Sequence, residues 1–157
     1  MKVLIACEYS GIVRDAFTRK GHDAWSCDIL PTESQGNHIQ GNVLEHLDKN
    51  WDLMIAHPPC THLAVSGARW FTEGKKPWSL QIEALDFVRK LLDAPIEKIA
   101  LENPVSVIST KIRKPDIIEK DGYKMSRHHW ETFRLPSKIR GKVRSRFYEG
   151  IAEAMAN

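Results

Sequence analysis

The sequence predicts an α/β domain built on a doubly wound, mostly parallel sheet. Three observations carry that expectation. Short apolar runs alternate with segments of helical periodicity. The strongest runs, such as KVLIA at Lys2–Ala6, are apolar without alternation, as strands covered on both faces are. The strand–helix–strand order occurs early in the chain and again before residue 102, which favours crossover connections between parallel strands. A chain of 157 residues suits one domain with one core.

Taken in order, Lys2–Ala6 is the first strand. Residues 11–20 (GIVRDAFTRK) then place Ile12, Val13, Ala16 and Phe17 on one helical face. Residues 22–28 (HDAWSCD) form a shorter, mixed strand, and residues 38–43 (HIQGNV) a weak further candidate. Residues 52–56 (DLMIA) are again continuous and apolar. Residues 61–78 (THLAVSGARWFTEGKKPW) carry two glycines, one proline and several charges, and read as a long, partly mobile loop beside a strand end. Ser79 is placed to cap a helix running to about Asp93, whose Leu80, Ala84, Leu85, Val88, Leu91 and Leu92 follow i, i+3, i+4 spacing. Lys98–Leu101 (KIAL) is the last clear strand. Residues 109–142 are basic and show no apolar period. Residues 145–156 predict a final helix with Phe147, Ile151, Ala152 and Met155 inward. The expected division of residues 1–157 is therefore a core over 1–110, a basic segment over 111–146 and a C-terminal helix over 147–157.

Composition excludes several classes. No apolar run approaches the roughly 18 residues of a membrane span, and the N-terminus lacks the long apolar stretch of a signal peptide. A cytoplasmic protein without membrane contact is expected. Three cysteines without repeated spacing do not make a disulfide framework. Cys7 and Cys27 are expected to pack as small hydrophobes with reduced thiols. Residues 111–146 hold twelve Lys and Arg against four Asp and Glu, whereas residues 1–110 hold eleven against fourteen. A basic block on an acidic body points to a polyanion such as nucleic acid, with a solvated basic surface as the alternative.

In open α/β sheets, ligands sit beyond the carboxyl ends of the strands. The first strand leads into Cys7-Glu8-Tyr9-Ser10-Gly11, the second ends in Asp28, the third leads into His57-Pro58-Pro59-Cys60, and the fourth into Glu102-Asn103-Pro104. A single glycine, Gly11, is not the glycine-rich turn that a pyrophosphate requires. Asp28 is placed to accept from ribose hydroxyls, or else to cap a turn. Pro58 and Pro59 cannot continue a central strand, and a stiff turn there would hold Cys60 in the cleft as a nucleophile. A lone buried cysteine would be structural. Glu102, at a buried strand end, suits proton donation near neutrality, or an ion pair with the basic segment. His57, Cys60 and His62 could ligate zinc, but no fourth ligand is in place, so no metal is expected. Trp70, Phe71 and Trp78 would either stack on a base or anchor their loop.

Three segments, VLIACEYSGIVRDAFTRKGHDAWSCDI, DLMIAHPPCTHLAVSG and ALENPVSVI, closely resemble the DNA cytosine-5 methyltransferase-like proteins of phages and prophages. The likeness spans roughly residues 3–108, with a shorter echo over residues 144–157 (RSRFYEGIAEAMAN). It implies a Rossmann-like, S-adenosylmethionine-dependent methyltransferase fold in reduced form. It also implies methyl transfer to C5 of cytosine in DNA through a covalent cysteine adduct. Cytosine in RNA or in a free nucleotide, or binding without catalysis on the same fold, are the alternatives. By resemblance Cys60 would attack C6 and Glu102 would contact N3 and the amino group. Ala6, Cys7, Glu8, Tyr9, Ser10, Gly11, Asp28, Ile29, Asn42, Val43 and Pro58 would line the cofactor site. Asn42 stands where an Asp is usual, keeping an acceptor oxygen without the charge. Pro59, Asn103 and Pro104 would shape the substrate pocket, and Lys138, Arg140, Lys142, Arg144 and Arg146 would meet the DNA backbone. Only about forty residues separate Pro104 from Arg144. Such proteins usually carry further strands and a target-recognition region there, so low specificity, a homodimer or a partner subunit is implied.

Overall fold

The computed structural model describes residues 1–116 together with Glu153, Met155 and Ala156. Five strands form one sheet: β1 (Lys2–Ala6), β2 (Asp23–Asp28), β3 (His38–Gln40), β4 (Leu53–Ala56) and β5 (Lys98–Leu101). Every pairing is parallel and the order is β3-β2-β1-β4-β5. The expected α/β class is thus observed, with a wholly parallel sheet. Among residues 1–116 four helices accompany it: α1 (Ile12–Arg19), α2 (Arg69–Thr72), α3 (Ser79–Leu92) and α4 (Ile108–Lys111).

The alternation of side chains along each strand sends two apolar sets to opposite faces. Val3, Ile5, Ala24 and Ile55 meet Val13, Ala16 and Phe17 of α1, with Met155 and Ala156 packed against the same cluster. Met155 is inward as its spacing predicts. Phe147, Ile151 and Ala152 lie outside the described residues. On the other face Leu4, Ala6, Cys27, Met54 and Ala56 pack with Trp51, Leu91 and Ile96. Each large side chain buried in this way contributes roughly 1.5–3 kcal/mol. A third cluster, Leu63, Leu85, Val88 and Ile108, joins α3 to the segments that follow β4 and β5. It fixes the two loops that matter for the site.

Three expectations change. Residues 61–78 are not irregular: they contain a 3-10 turn at Val65–Gly67 and the short helix α2, with Leu63 and Phe71 buried. Ser79 is the first residue of α3 rather than its cap, and Trp78 precedes it with no side-chain capping bond. β5 is covered on one face only among the described residues, since Lys98 and Ala100 are exposed. The cysteines are free, as expected, with Cys27 fully buried and Cys7 half-buried. Among the described residues no helix is long and apolar enough to cross a membrane.

Candidate functional site

The chain runs outward from β1 through β2 to β3, then returns to lay β4 on the other side of β1 and β5 beyond it. The strand order therefore reverses between β1 and β4, which is where open parallel sheets split their loops and leave a crevice. His57 N–H donates to Ala6 C=O across this point, at 3.0 Å. Two groups of residues flank it.

The first group sits at the ends of β1, β2 and β3. Cys7 leaves β1 with φ 62°, a left-handed conformation rare for a residue with a side chain. Strain of this kind persists only where surroundings hold it, and here Cys7 N–H and Glu8 N–H both donate to Cys27 C=O. Burial, with Asp28 adding to it, pushes the Cys7 thiol up to about 12, so it is protonated and inert at neutral pH. Glu8 turns inward. Its carboxylate accepts from Val13 N–H at 2.7 Å, Arg14 N–H at 3.2 Å and Ser10 O–H at 3.1 Å. It thereby caps the amino end of α1, where a negative charge also meets the helix dipole. Burial pushes its pKa up while these bonds pull it back. Ala6, Tyr9, Ser10 and Val43 are buried as well, so they form walls rather than accessible contacts.

Asp28, Ile29 and Asn42 reach the outer edge of this group. One Asp28 oxygen accepts Leu30 N–H at 2.9 Å, an Asx turn that tips Ile29 outward to 74% exposure. Asn42 caps the 3-10 turn Val43–Glu45 through Leu44 N–H at 3.2 Å. Gly41 N–H to Asp28 C=O, at 2.8 Å, ties the two segments together.

The loop between β2 and β3 is braced by a residue that composition alone does not mark. Arg14 on α1 is 1% exposed. Its guanidinium donates to Asp15, Ser26 Oγ, Thr32 Oγ1, Ser34 C=O and Oγ, and Gln35 C=O. A buried charge is tolerated when each donor is met in this way. Ser26 Oγ also meets His38 Nδ1 at 2.8 Å, and His38 Nε2 reaches Leu30 C=O at 3.0 Å. The signal available in sequence was the pair of hydroxyl acceptors at Thr32 and Ser34.

The second group sits at the ends of β4 and β5, which pair through Ala56 and Leu101. Pro58 is buried, whereas Pro59 and Cys60 are exposed. Leu63 N–H and Ala64 N–H both donate to Cys60 C=O, at 3.0 and 2.9 Å, so the chain turns sharply after the cysteine. The segments after the two strands are stitched together. Asn103 Nδ2 donates to Pro58 C=O at 3.0 Å, Val65 N–H to Val105 C=O at 3.1 Å, and Val107 N–H to Leu63 C=O at 2.9 Å. A short antiparallel bridge pairs Ala64 with Ser106. Glu102 N–H is held by Ala56 C=O at 2.9 Å, but the residue is exposed, so the expected burial of its carboxyl group is not observed.

This arrangement brings Cys60 into the field of Glu102. Loss of hydration raises the Cys60 pKa most, and the Glu102 charge raises it further. His57 Nδ1 lies 3.9 Å from Glu102 Oε2, but burial pushes the imidazole down to about 3. It is therefore neutral near pH 7, and the contact is not an ion pair. His57 belongs to this site beside Glu102, a role its sequence position does not distinguish from metal binding. Among the described residues no group of His, Cys, Asp and Glu is arranged to hold a metal ion. Pro104 is exposed at the rim. Lys138, Arg140, Lys142, Arg144 and Arg146 lie outside the described residues.

A separate concavity of about 470 Å³ lies away from these loops, between the end of α3, the start of β5 and Ile112-Arg113. It contains none of the strand-end residues. Comparisons of the chain with protein-family models, with curated proteins and with solved structures give no match.

Proposed function

We propose that the chain is an S-adenosylmethionine-dependent methyltransferase of reduced Rossmann-like form that acts on C5 of cytosine in DNA. The observation that carries the reading is the pairing of Cys60 with Glu102. They stand on loops after neighbouring strands, are joined by Asn103 and the Ala64–Ser106 bridge, and are close enough to interact electrostatically.

The chemistry suits that pair. Cytosine C6 is a poor electrophile, so addition of sulfur and protonation of the ring must assist one another. At rest, Cys60 holds its proton because partial loss of hydration and the Glu102 charge both disfavour a thiolate. Moving the proton to the Glu102 carboxylate removes the repulsion and leaves the two forms that addition requires. The Cys60 thiolate then bonds to C6, and the C5–C6 electron pair shifts toward C5. The Glu102 proton is shared with N3. Once C5 carries the methyl group, its proton leaves to water, the C5–C6 double bond re-forms as the C6–sulfur bond breaks to return the Cys60 thiolate, and the N3 proton goes back to Glu102. S-Adenosylmethionine, when bound, supplies the methyl group.

The first group of residues fits that cofactor in kind. Ile29 offers an exposed apolar surface for an adenine beside the Asp28 carboxylate, which suits ribose hydroxyls. Glu8, Ser10 and Gly11 serve it indirectly by fixing α1 and the turn. Backbone groups of residues 7–10, rather than the Glu8 carboxylate, would face it.

The test is transfer of labelled methyl groups to DNA, RNA and free cytidine nucleotides, followed by location of the label. The reading expects 5-methylcytosine in DNA. Cys60→Ala and Glu102→Gln should each lower the rate by at least about 100-fold, the scale of a lost nucleophile or proton donor. Label at N4, or transfer that persists in Cys60→Ala, would overturn it. Transfer confined to RNA or nucleotide would replace DNA as the substrate.

A further inference from the structure

The segment between Cys60 and α3 carries an aromatic and cationic surface that the chemistry above does not use. Phe71 of α2 is buried, with His62 set edge-on to it at 6.3 Å. Trp78 stacks on Phe71 at 5.2 Å with planes 27° apart, yet remains 53% exposed. Arg69 and Lys75 lie over Trp70, at 4.6 and 4.8 Å from the ring centre, and Lys76 lies 5.7 Å from that of Phe71. Lys76 Nζ also reaches Thr61 C=O at 3.4 Å, and Gln81 of α3 holds His62 C=O at 3.3 Å. The surface is thus tied to the two residues that directly follow Cys60. Residues 61–78 hold Arg69, Lys75 and Lys76 against Glu73 alone, and Glu73 pairs with Lys75 at 2.7 Å.

We propose that Trp78 and the cations around Trp70 form a stacking site for an unpaired nucleic-acid strand, which presents its base to Cys60. The proposal rests on the cytosine reading above and names the form of its substrate. An indole stacked on Phe71 and still about half exposed is a rigid platform, and ordering it costs little on binding. Only a base with a free face can cover it, because bases in a duplex cover one another. A base stacks on such a ring whatever its identity, and nearby cations meet the phosphates. An acidic protein partner would use the charges but would leave the ring face without a matching plane.

Equilibrium binding of the full chain to three fluorescent DNA probes tests this: a cytosine-containing single strand, its duplex, and an abasic strand of equal length, the two single strands also at raised salt. The single strand should bind about tenfold or more tighter than the duplex. Trp78→Ala should weaken single-strand binding about tenfold, the scale of one stacked base, and leave the abasic strand unchanged. Trp78→Phe, which keeps an aromatic face and the packing on Phe71, should retain most of the affinity. Lys75→Ala with Lys76→Ala should weaken both strands and flatten the salt dependence. Equal binding of duplex and single strand, or equal loss on abasic and base-bearing strands, would overturn the proposal. Insensitivity to Trp78→Ala while methyl transfer persists defeats this inference alone. Strand binding with the predicted Trp78 dependence, but without transfer, defeats the catalytic reading alone.

Discussion

At the scale of residues, the site depends on groups kept in uncharged forms. His57 is the clearest case, because burial alone pushes its pKa from 6.5 down to about 3. Between those values the unfolded chain takes up a proton that the folded chain refuses. Stability is therefore fully present above pH 6.5 and falls as pH drops toward 3. By pH 5 the loss amounts to about 2 kcal/mol relative to pH 7. Denaturant titrations at the two pH values should show this difference, and His57→Gln should narrow it by about that amount. An unchanged difference in the variant would remove the burial argument. Cys60 was legible in sequence because two prolines precede it. His57 was legible only as a residue type, because its position beside Glu102 depends on β4 and β5 being neighbours.

At the scale of elements, the period of apolar residues located most of the structure. The run KVLIA is β1 to the residue, and residues 11–20 differ from α1 by one position at each end. Those elements are set by local spacing that packing reinforces. Residues 61–78 were not legible in the same way. Their order comes from Leu63 burying against Leu85, Val88 and Ile108 and from bonds to residues 105–107, which leave no period. The loop between β2 and β3 is similar, since Arg14 organises it from a helix. Gly11 is part of that arrangement: its φ is 77°, and a Cβ there would overlap Ser34 Oγ and the Arg14 guanidinium. Gly21 has φ 82° and open space around its Cα. Gly21→Ala should cost about 1–2 kcal/mol, the strain of a left-handed residue. Gly11→Ala should add roughly 1–3 kcal/mol of overpacking to that strain. Thermal unfolding of the two variants measures the gap, and equal costs would show that the Arg14 network yields easily.

At the scale of the whole molecule, the fold class followed from strands alternating with helices, but the order β3-β2-β1-β4-β5 did not. Strand order is a property of long-range pairing, and several orders suit the same pattern of runs. It is this order that places Cys7, Asp28 and Ile29 on one side of β1 and Cys60 with Glu102 on the other. In the proposed reaction both groups act together, and Cys60 bonds covalently to cytosine C6. The direct measurement is the intact mass of the protein after incubation with S-adenosylmethionine and DNA carrying 5-fluorocytosine, whose fluorine blocks release of the enzyme. A denaturation-stable species with the summed mass of protein, DNA and one methyl group, absent in Cys60→Ala, is the predicted result. The same species in Cys60→Ala, or its absence from a wild-type protein that binds the cofactor and the DNA, would contradict the account.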